Sequence, residues 1–254
     1  FSDMHGEAVY RVVPGSAPER VVAVPQRPSG LGWLPNGDLL IASMLDRQVL
    51  RFTGSEALLP YADLSTIAER RINDMLVDSQ GRAWVGNFGF DLSSGEPVMP
   101  GTLARVDSDG SVHAAADDLL FANGMTLLKK ESVLVVAETF KGCLTAFDIS
   151  AESELINRRV WAALPEGAAP DGICADAEGA IWVASPTTGS VLRLGEGGPV
   201  LDSIDTGRQA IACALGGPEG DTLFVSSAVA TERQACREAL TARIDAYRVL
   251  VPVA

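Results

Sequence analysis

Five polar residues recur at nearly regular intervals, and they are the first candidates for chemistry. Successive members stand 44, 50, 48 and 38 residues apart, each at the opening of an apolar segment: Ser29, Asn73, Asn123, Asp171 and Gln209. Carboxylate and amide oxygens, in a chain with only two histidines, suit hard cations such as Ca²⁺, Mg²⁺ or Mn²⁺. Taken singly, Asn or Asp before glycine is a common turn former. Their recurrence favours a ring of oxygen ligands.

Two further polar residues near Asn73 could contact a substrate. Arg71 lies two positions before it and carries the fixed fork of donors that suits hydroxylated or anionic groups. A long connection over residues 87–101 follows the next strand, and it could form a lid that carries Asp91. Both residues also have a simpler interpretation: Arg71 as a surface arginine, and Asp91 as a solvated carboxylate of the loop. Phe88 and Phe90 in the same connection hint at a less polar substrate.

The elements that position these residues repeat with them. Each repeat reads as a short apolar strand, a polar turn containing glycine, and a second apolar strand, with hairpin signals such as Asn36-Gly37 and Glu178-Gly179. Periods of about 40–50 residues with this content are typical of propeller blades. A third strand is predicted in each repeat, at residues 48–52, 103–106, 144–149, 191–194 and 243–249.

The repeats predict an all-β fold, a six-bladed β-propeller with four-stranded blades, as a single domain over residues 1–254. Residues 8–13 and 20–24 resemble the outer strands of a sixth, incomplete blade, and residues 243–251 a third strand that lacks a fourth. We therefore expect the remaining strands of the first blade to lie upstream of Phe1. Residues 231–240 could form one or two helical turns in a loop.

Composition excludes several classes of function. The net charge of −13 predicts no affinity for nucleic acid or anionic lipid, and no apolar run approaches the length of a membrane helix. The sequence has no nucleophile elbow, P-loop or dinucleotide fingerprint. Four cysteines without a CxxC pair indicate reduced thiols and a cytoplasmic location. A monomer or weak oligomer is expected.

Three motifs carry a resemblance to a known family. They are Arg71-Ile72-Asn73-Asp74 followed by Asp78-Ser79-Gln80-Gly81-Arg82, then Ala122-Asn123-Gly124-Met125, and Pro170-Asp171-Gly172-Ile173-Cys174. Over nearly its whole length the chain resembles the gluconolactonase, regucalcin (senescence marker protein) and luciferin-regenerating enzyme family of six-bladed propellers.

The resemblance implies roles for individual residues. A divalent metal would be held by Asn123 and Asp171, with a third ligand, a glutamate, expected upstream of Phe1. Arg71, Asn73 and Asp91 would bind substrate, and Ser29, which opens the second blade, is placed with them. Ca²⁺ is the expected ion, with Zn²⁺, Mn²⁺, Mg²⁺ and Fe²⁺ as alternatives.

The predicted function is metal-dependent hydrolysis of a small-molecule lactone. The metal would polarise the carbonyl and activate a water, and Asp171 would act as general base. Two alternatives stay open. The same pocket could hydrolyse another ester or a non-sugar lactone, or the propeller could bind a metal or metabolite without catalysis.

Overall fold

The computed structural model describes residues 1–54 and 57–253, and its regular structure is almost entirely β-strand. Within those residues, 22 strands form six sheets, so the fold is the six-bladed β-propeller that the repeats predict. The chain divides into two compact units, Phe1–Ala122 and Asn123 onward, with three sheets assigned to each.

The first unit contains the first three sheets. The first sheet is β1 (Ser2–Asp3), β2 (Ala8–Arg11) and β3 (Glu19–Ala23). The second is β4 (Pro28–Trp33), β5 (Leu39–Ser43), β6 (Gln48–Phe52) and β7 (Leu58–Asp63). The third is β8 (Ile72–Val77), β9 (Ala83–Asn87), β10 (Gly101–Val106) and β11 (Val112–Leu119), with a 3₁₀ turn at Leu92–Ser94 between β9 and β10.

The second unit contains the other three sheets. The fourth sheet is β12 (Ala122–Leu128), β13 (Val133–Glu138), β14 (Cys143–Ile149) and β15 (Leu155–Ala163). The fifth is β16 (Ile173–Ala175), β17 (Ile181–Ser185), β18 (Ser190–Leu194) and β19 (Val200–Asp205). The sixth is β20 (Gln209–Gly216), β21 (Thr222–Ala228) and β22 (Arg243–Arg248), with helix α1 (Arg233–Ala239) before its last strand.

The third strands lie where the sequence predicts them, to within two residues at either end. Four sheets have the expected four strands. The first and sixth have three, which confirms the prediction of an incomplete first blade and of a third strand without a fourth at residues 243–251. The helical turns expected within residues 231–240 are present as α1.

The core lies between successive sheets of each unit. The second strand of each middle sheet is buried along its whole length: β5, β9, β13 and β17. Such strands read as continuous apolar runs because both of their faces are covered. In the first unit, one cluster joins the second and third sheets through side chains such as Leu40, Val49 and Val85.

Buried aspartates fix two of the hairpin turns. Asp78 accepts hydrogen bonds from the backbone N–H groups of Gln80 and Arg82 and from Arg82 Nε at 2.6 Å. Asp176 accepts from the N–H groups of Glu178 and Ala180, and its guanidinium partner comes from the third strand, Arg193 Nε at 2.7 Å. These carboxylates are part of the hairpins' structure.

In the described part of the chain, no helix has the length and hydropathy needed to cross a bilayer.

Candidate functional site

In the first unit, the polar residues that open β4 and β8 are bonded to each other. Ser29 Oγ donates a hydrogen bond to Asn73 Oδ1 at 3.1 Å, and the backbone oxygen of Ser29 accepts one from Ser2 Oγ at 2.6 Å. Asn73 is buried. This contact brings together two of the residues predicted to bind substrate.

A β-bulge sets the position of Asn73. Ile72 pairs with Asn87 and Met75 pairs with Val85, so β8 has one more residue than β9 between these pairs. A bulge of this kind locally turns the strand and re-aims its side chains. Strand β4 has the same irregularity around Ser29, between Pro28 and Leu31. Ser29 and Asn73, the polar residues of two repeats, therefore both stand at a β-bulge.

The first strands of the second and third sheets approach closely at this point. A Cβ added to Gly30 would lie 2.1 Å from the backbone nitrogen of Met75. Glycine is required there because any side chain would collide with the neighbouring backbone. The glycine after the polar residue thus allows Ser29 and Asn73 to come within hydrogen-bonding distance.

Arg71 and Asp91, the other predicted substrate residues, form an ion pair. Arg71 Nη2 lies 3.2 Å from Asp91 Oδ1 and 2.6 Å from Ser93 Oγ, and both side chains of the pair are about one third exposed. Ser93 also donates to Asp91 Oδ1 through its hydroxyl at 2.6 Å and its backbone N–H at 3.0 Å. The Ser93 hydroxyl, with Arg71 nearby, lowers the pKa of Asp91, which keeps this carboxylate charged.

Neighbouring residues hold the loop that carries Asp91. The backbone N–H of Asp91 donates to Glu96 Oε2 at 2.7 Å, and Glu96 pairs with Arg70 at 2.9 Å. At the start of the loop, Asn87 accepts from the N–H of Gly89 and donates to the carbonyl of Thr102 at 2.6 Å. These bonds give the loop a defined conformation next to Arg70 and Arg71, the two residues that precede β8.

Phe88 and Phe90 anchor this loop. Phe88 is stacked on Phe121, with ring centroids 4.1 Å apart, and both belong to a small cluster with Met44. Phe90 is 2% exposed. Both side chains are packed inside the protein. They therefore no longer support the suggestion of a less polar substrate.

In the second unit, the two predicted metal ligands are brought together by their backbones. The N–H of Gly124, next to Asn123, donates to the carbonyl of Asp171 at 3.2 Å. A Cβ on Gly124 would lie 2.5 Å from that same oxygen, so only glycine permits the approach. The amide of Asn123 and the carboxylate of Asp171 consequently belong to adjacent segments.

Thr139 links the same two segments through its side chain. Asn123 Nδ2 donates to Thr139 Oγ1 at 3.0 Å, and Thr139 Oγ1 donates to the carbonyl of Pro170, the residue before Asp171, at 2.8 Å. Because Nδ2 is bonded to Thr139, the Asn123 amide holds Oδ1 on the side away from Thr139. Asn123 is 4% exposed, which restricts its rotation.

The residues present fit a hard divalent cation as part of its coordination shell. An amide oxygen and a carboxylate oxygen are ligands that such ions prefer. Among the described residues, no group of three or more His, Cys, Asp or Glu side chains could hold a metal. Asn123 and Asp171 would supply part of the coordination of such an ion.

Three residues of these arrangements are not among the predicted site residues. Ser93 and Thr139 each join two predicted site residues, and neither belongs to the repeated polar position. Asp74 stands in the β8 bulge, where the equivalent residues are Gly30 in β4, Gly124 in β12 and Gly172 directly before β16. Burial raises the pKa of Asp74 to about 6, against an opposing hydrogen bond from the N–H of Met75. An Asp-x-Ser turn signal at Asp91 could have revealed Ser93.

Gln209, the last of the five polar residues, is placed differently from the others. Its Nε2 donates to the carbonyl of Val229 at 3.4 Å, between the ends of β20 and β21. This contact gives Gln209 a structural role in the sixth sheet.

Comparison with known proteins identifies a matching family and several similar proteins. Residues 1–229 match the profile of the SMP-30/gluconolactonase/LRE-like region. Regucalcin from Danio rerio is 29% identical over 171 residues, which are 66% of this chain and 57% of that protein. A 6-deoxy-6-sulfogluconolactonase from Pseudomonas putida is 27% identical over 262 aligned positions, covering 99% of this chain and 87% of that protein.

A solved structure has the same fold. The gluconolactonase from Xanthomonas campestris superimposes with a TM-score of 0.74 and 26% identity, covering 89% of this chain and 77% of that one. The match to regucalcin spans less than two thirds of that relative's length, whereas the family match extends over most of this chain. The chain therefore belongs to the SMP-30/gluconolactonase/LRE-like family.

Proposed function

We propose that the protein hydrolyses a lactone with the help of one divalent metal ion, Ca²⁺ being the expected one. The observation that carries this proposal is the pairing of Asn123 with Asp171 by the Gly124–Asp171 backbone bond and the Thr139 bridge. The match to a gluconolactonase-containing family and to a sulfogluconolactonase supports the reaction class.

Asp171 would act as general base. A divalent cation bound by Asn123 and Asp171 would polarise the lactone carbonyl and lower the pKa of a nearby water. Asp171 would accept the proton of the water that attacks the carbonyl carbon. As the ring C–O bond breaks, the same carboxyl could return the proton to the departing oxygen, which gives the hydroxy acid. Thr139 would keep the Asn123 amide in the orientation that presents Oδ1.

Arg71, Asn73, Asp91 and Ser29 would bind the substrate's hydroxyl groups. Together they offer a guanidinium, a charged carboxylate, an amide and a hydroxyl, which are donors and acceptors suited to a polyol. These side chains, with Phe88 and Phe90 packed away, favour a sugar lactone over an apolar ester. A panel of aldonolactones, simple γ- and δ-lactones and aryl esters separates the two alternatives.

Replacement of the proposed base tests the mechanism. We expect Asp171→Asn to lower kcat/KM for the best lactone by about 100-fold or more, because general-base catalysis contributes roughly 10²–10⁴-fold. Asp202→Asn, at an exposed carboxylate on β19 of the same unit, is the matched control and should keep the parent rate. An Asp171→Asn variant with the parent rate and normal folding would remove Asp171 from the mechanism. Metal binding by the parent without turnover of any lactone would favour a binding protein.

We also propose a reducing, cytoplasmic location and a monomer or weak oligomer. The four cysteines are all free thiols, which is the usual state in a reducing compartment. Fractionation of the source cells and light scattering of the purified protein test these two statements.

A further inference from the structure

Two of the four cysteines lie side by side in the second unit. The Sγ atoms of Cys174 on β16 and Cys213 on β20 are 3.8 Å apart, although the residues are 39 positions apart in the sequence. The thiol of Cys174 is the donor in this contact. The other two thiols contact oxygen atoms, Cys143 that of Thr145 and Cys236 that of Ala230.

The backbone holds the two strands at this separation. The N–H of Gly172, two residues before Cys174, donates to the carbonyl of Ile211 at 2.9 Å. A Cβ on Gly172 would lie 2.7 Å from the Cα of Ala212, which directly precedes Cys213. The backbones at Gly172 and Ala212 are thus as close as glycine permits, and this contact holds the two thiols next to each other. An S–S bond of about 2.05 Å requires the sulfur atoms to approach by a further ~1.8 Å.

The two thiols differ in their environment. Cys174 is only partly buried, so it is the more exposed residue of the two. Cys213 is buried and its Sγ also lies 3.5 Å from the carbonyl oxygen of Gly172 and 3.4 Å from that of Trp182. The neighbouring thiol and burial raise the pKa of Cys213, which protects it from direct oxidation. We therefore expect the more exposed residue, Cys174, to react first.

We propose that Cys174 and Cys213 are an oxidation site, which a hydroperoxide converts into a disulfide between β16 and β20. In the first step the Cys174 thiol is oxidised to a sulfenic acid, and the hydroperoxide is reduced to water (or to an alcohol). In the second step the Cys213 sulfur attacks the sulfenic sulfur. The new S–S bond forms as the S–O bond breaks, and the oxygen leaves as water with the Cys213 proton.

The disulfide would join the strand that follows Asp171 to the next sheet. It would close a long stretch of chain, and such links reduce the conformational freedom of the unfolded protein. We therefore expect the oxidised protein to be more resistant to heat than the reduced one. This inference is independent of the proposed lactonase activity.

Peptide mapping tests the proposal directly. Trypsin places each cysteine in its own peptide: residues 142–158, 160–193, 209–233 and 234–237. After treatment of the folded protein with hydrogen peroxide, blocking of remaining thiols and digestion without reductant, we expect one new species in which 160–193 is linked to 209–233. The thermal midpoint should rise by roughly 5 °C or more and return after reduction.

Three variants serve as controls. Cys213→Ala should abolish the linked peptide and leave the Cys174 sulfenic acid available to dimedone, and Cys174→Ser should abolish both signals. Cys143→Ser should behave like the parent. Absence of the linked species from the oxidised parent, or linkage of 160–193 to 234–237 instead, would overturn the proposal.

Discussion

Thr139 is the side chain that links the segments of the two candidate metal ligands. One hydroxyl accepts from the amide of Asn123 and donates to the carbonyl before Asp171, so it fixes both segments at once. Residues that orient metal ligands in this way commonly affect metal affinity although they do not touch the ion.

Removal of the Thr139 hydroxyl should weaken metal binding. We expect Thr139→Val to raise the Kd for Ca²⁺ by about 10-fold or more, since loss of such orienting partners typically costs 10–100-fold in affinity. Thr139→Ser retains the hydroxyl and should stay close to the parent. Isothermal titration of the chelator-stripped proteins measures both. Equal affinities in Thr139→Val and the parent would show that Asn123 needs no such support.

Asp74 makes the stability of the protein depend on pH. Its pKa rises from 3.8 in the unfolded chain to about 6 in the fold. Between these values the folded protein binds more protons, so the free energy of unfolding falls as pH rises and levels off above pH 6. At neutral pH the ionised carboxylate therefore destabilises the fold.

The variant Asp74→Asn removes this penalty. We expect it to be about 3 kcal/mol more stable than the parent at pH 8, with the advantage shrinking to about 1 kcal/mol at pH 4.5. Urea unfolding of the metal-free proteins at the two pH values gives both differences. An advantage that is constant with pH, or that grows towards pH 4.5, would contradict the assigned shift.

The repeat selects candidate residues by their register, and it gives no information about contacts that occur once. Asn73, Asn123 and Asp171 occupy one position of a recurring unit, so their register alone marks them. Thr139 lies in a loop after β13, and no repeat places its hydroxyl against Asn123. Phe88 and Phe90 mislead for the same reason, because a loop sequence does not say which side chains pack inward.

Two hairpin turns depend on buried aspartates whose charge is balanced by arginine. Asp176 has no exposed surface on its side chain, and Arg193 from the third strand of its sheet is its guanidinium partner. The bond therefore ties three strands of the fifth sheet together. Breaking such a buried pair leaves an uncompensated charge.

Loss of Arg193 should destabilise the protein. We expect Arg193→Met to lower the free energy of unfolding by about 3–5 kcal/mol, the usual cost of a buried charge without its partner. Arg243→Met, at an ion pair whose arginine is about half exposed, should cost less than about 1 kcal/mol. Urea denaturation of the two variants makes the comparison, and equal losses would mean that burial at Asp176 does not matter.

Strand positions were predictable because each strand is a short apolar run bounded by a turn signal, and the runs recur. The number of strands in a sheet was predictable for the same reason, because the first repeat is incomplete and no further apolar run follows residues 243–251. The first and sixth sheets accordingly have three strands each in the described residues. The sequence shows the glycines that follow the polar residues, but it does not show which backbone atoms of the neighbouring sheet lie against them.

The whole molecule carries a charge of −13, which favours cations and opposes polyanions. The negative charge of the protein therefore attracts the kind of ion that the oxygen atoms of Asn123 and Asp171 would bind. It agrees with the proposal that a divalent metal is the partner of this protein and that nucleic acid is not. The six-bladed fold and the family membership make lactone hydrolysis the reaction to test.

Acid release from lactones, followed in a pH-stat with and without chelator, tests whether the protein is a metal-dependent lactonase. We expect turnover of at least one aldonolactone by the parent protein, its loss in excess EDTA, and its recovery on addition of Ca²⁺ or one other divalent ion. Turnover that is unchanged by complete removal of metal would contradict the account, and so would failure to hydrolyse any lactone by protein that has been shown to bind the ion.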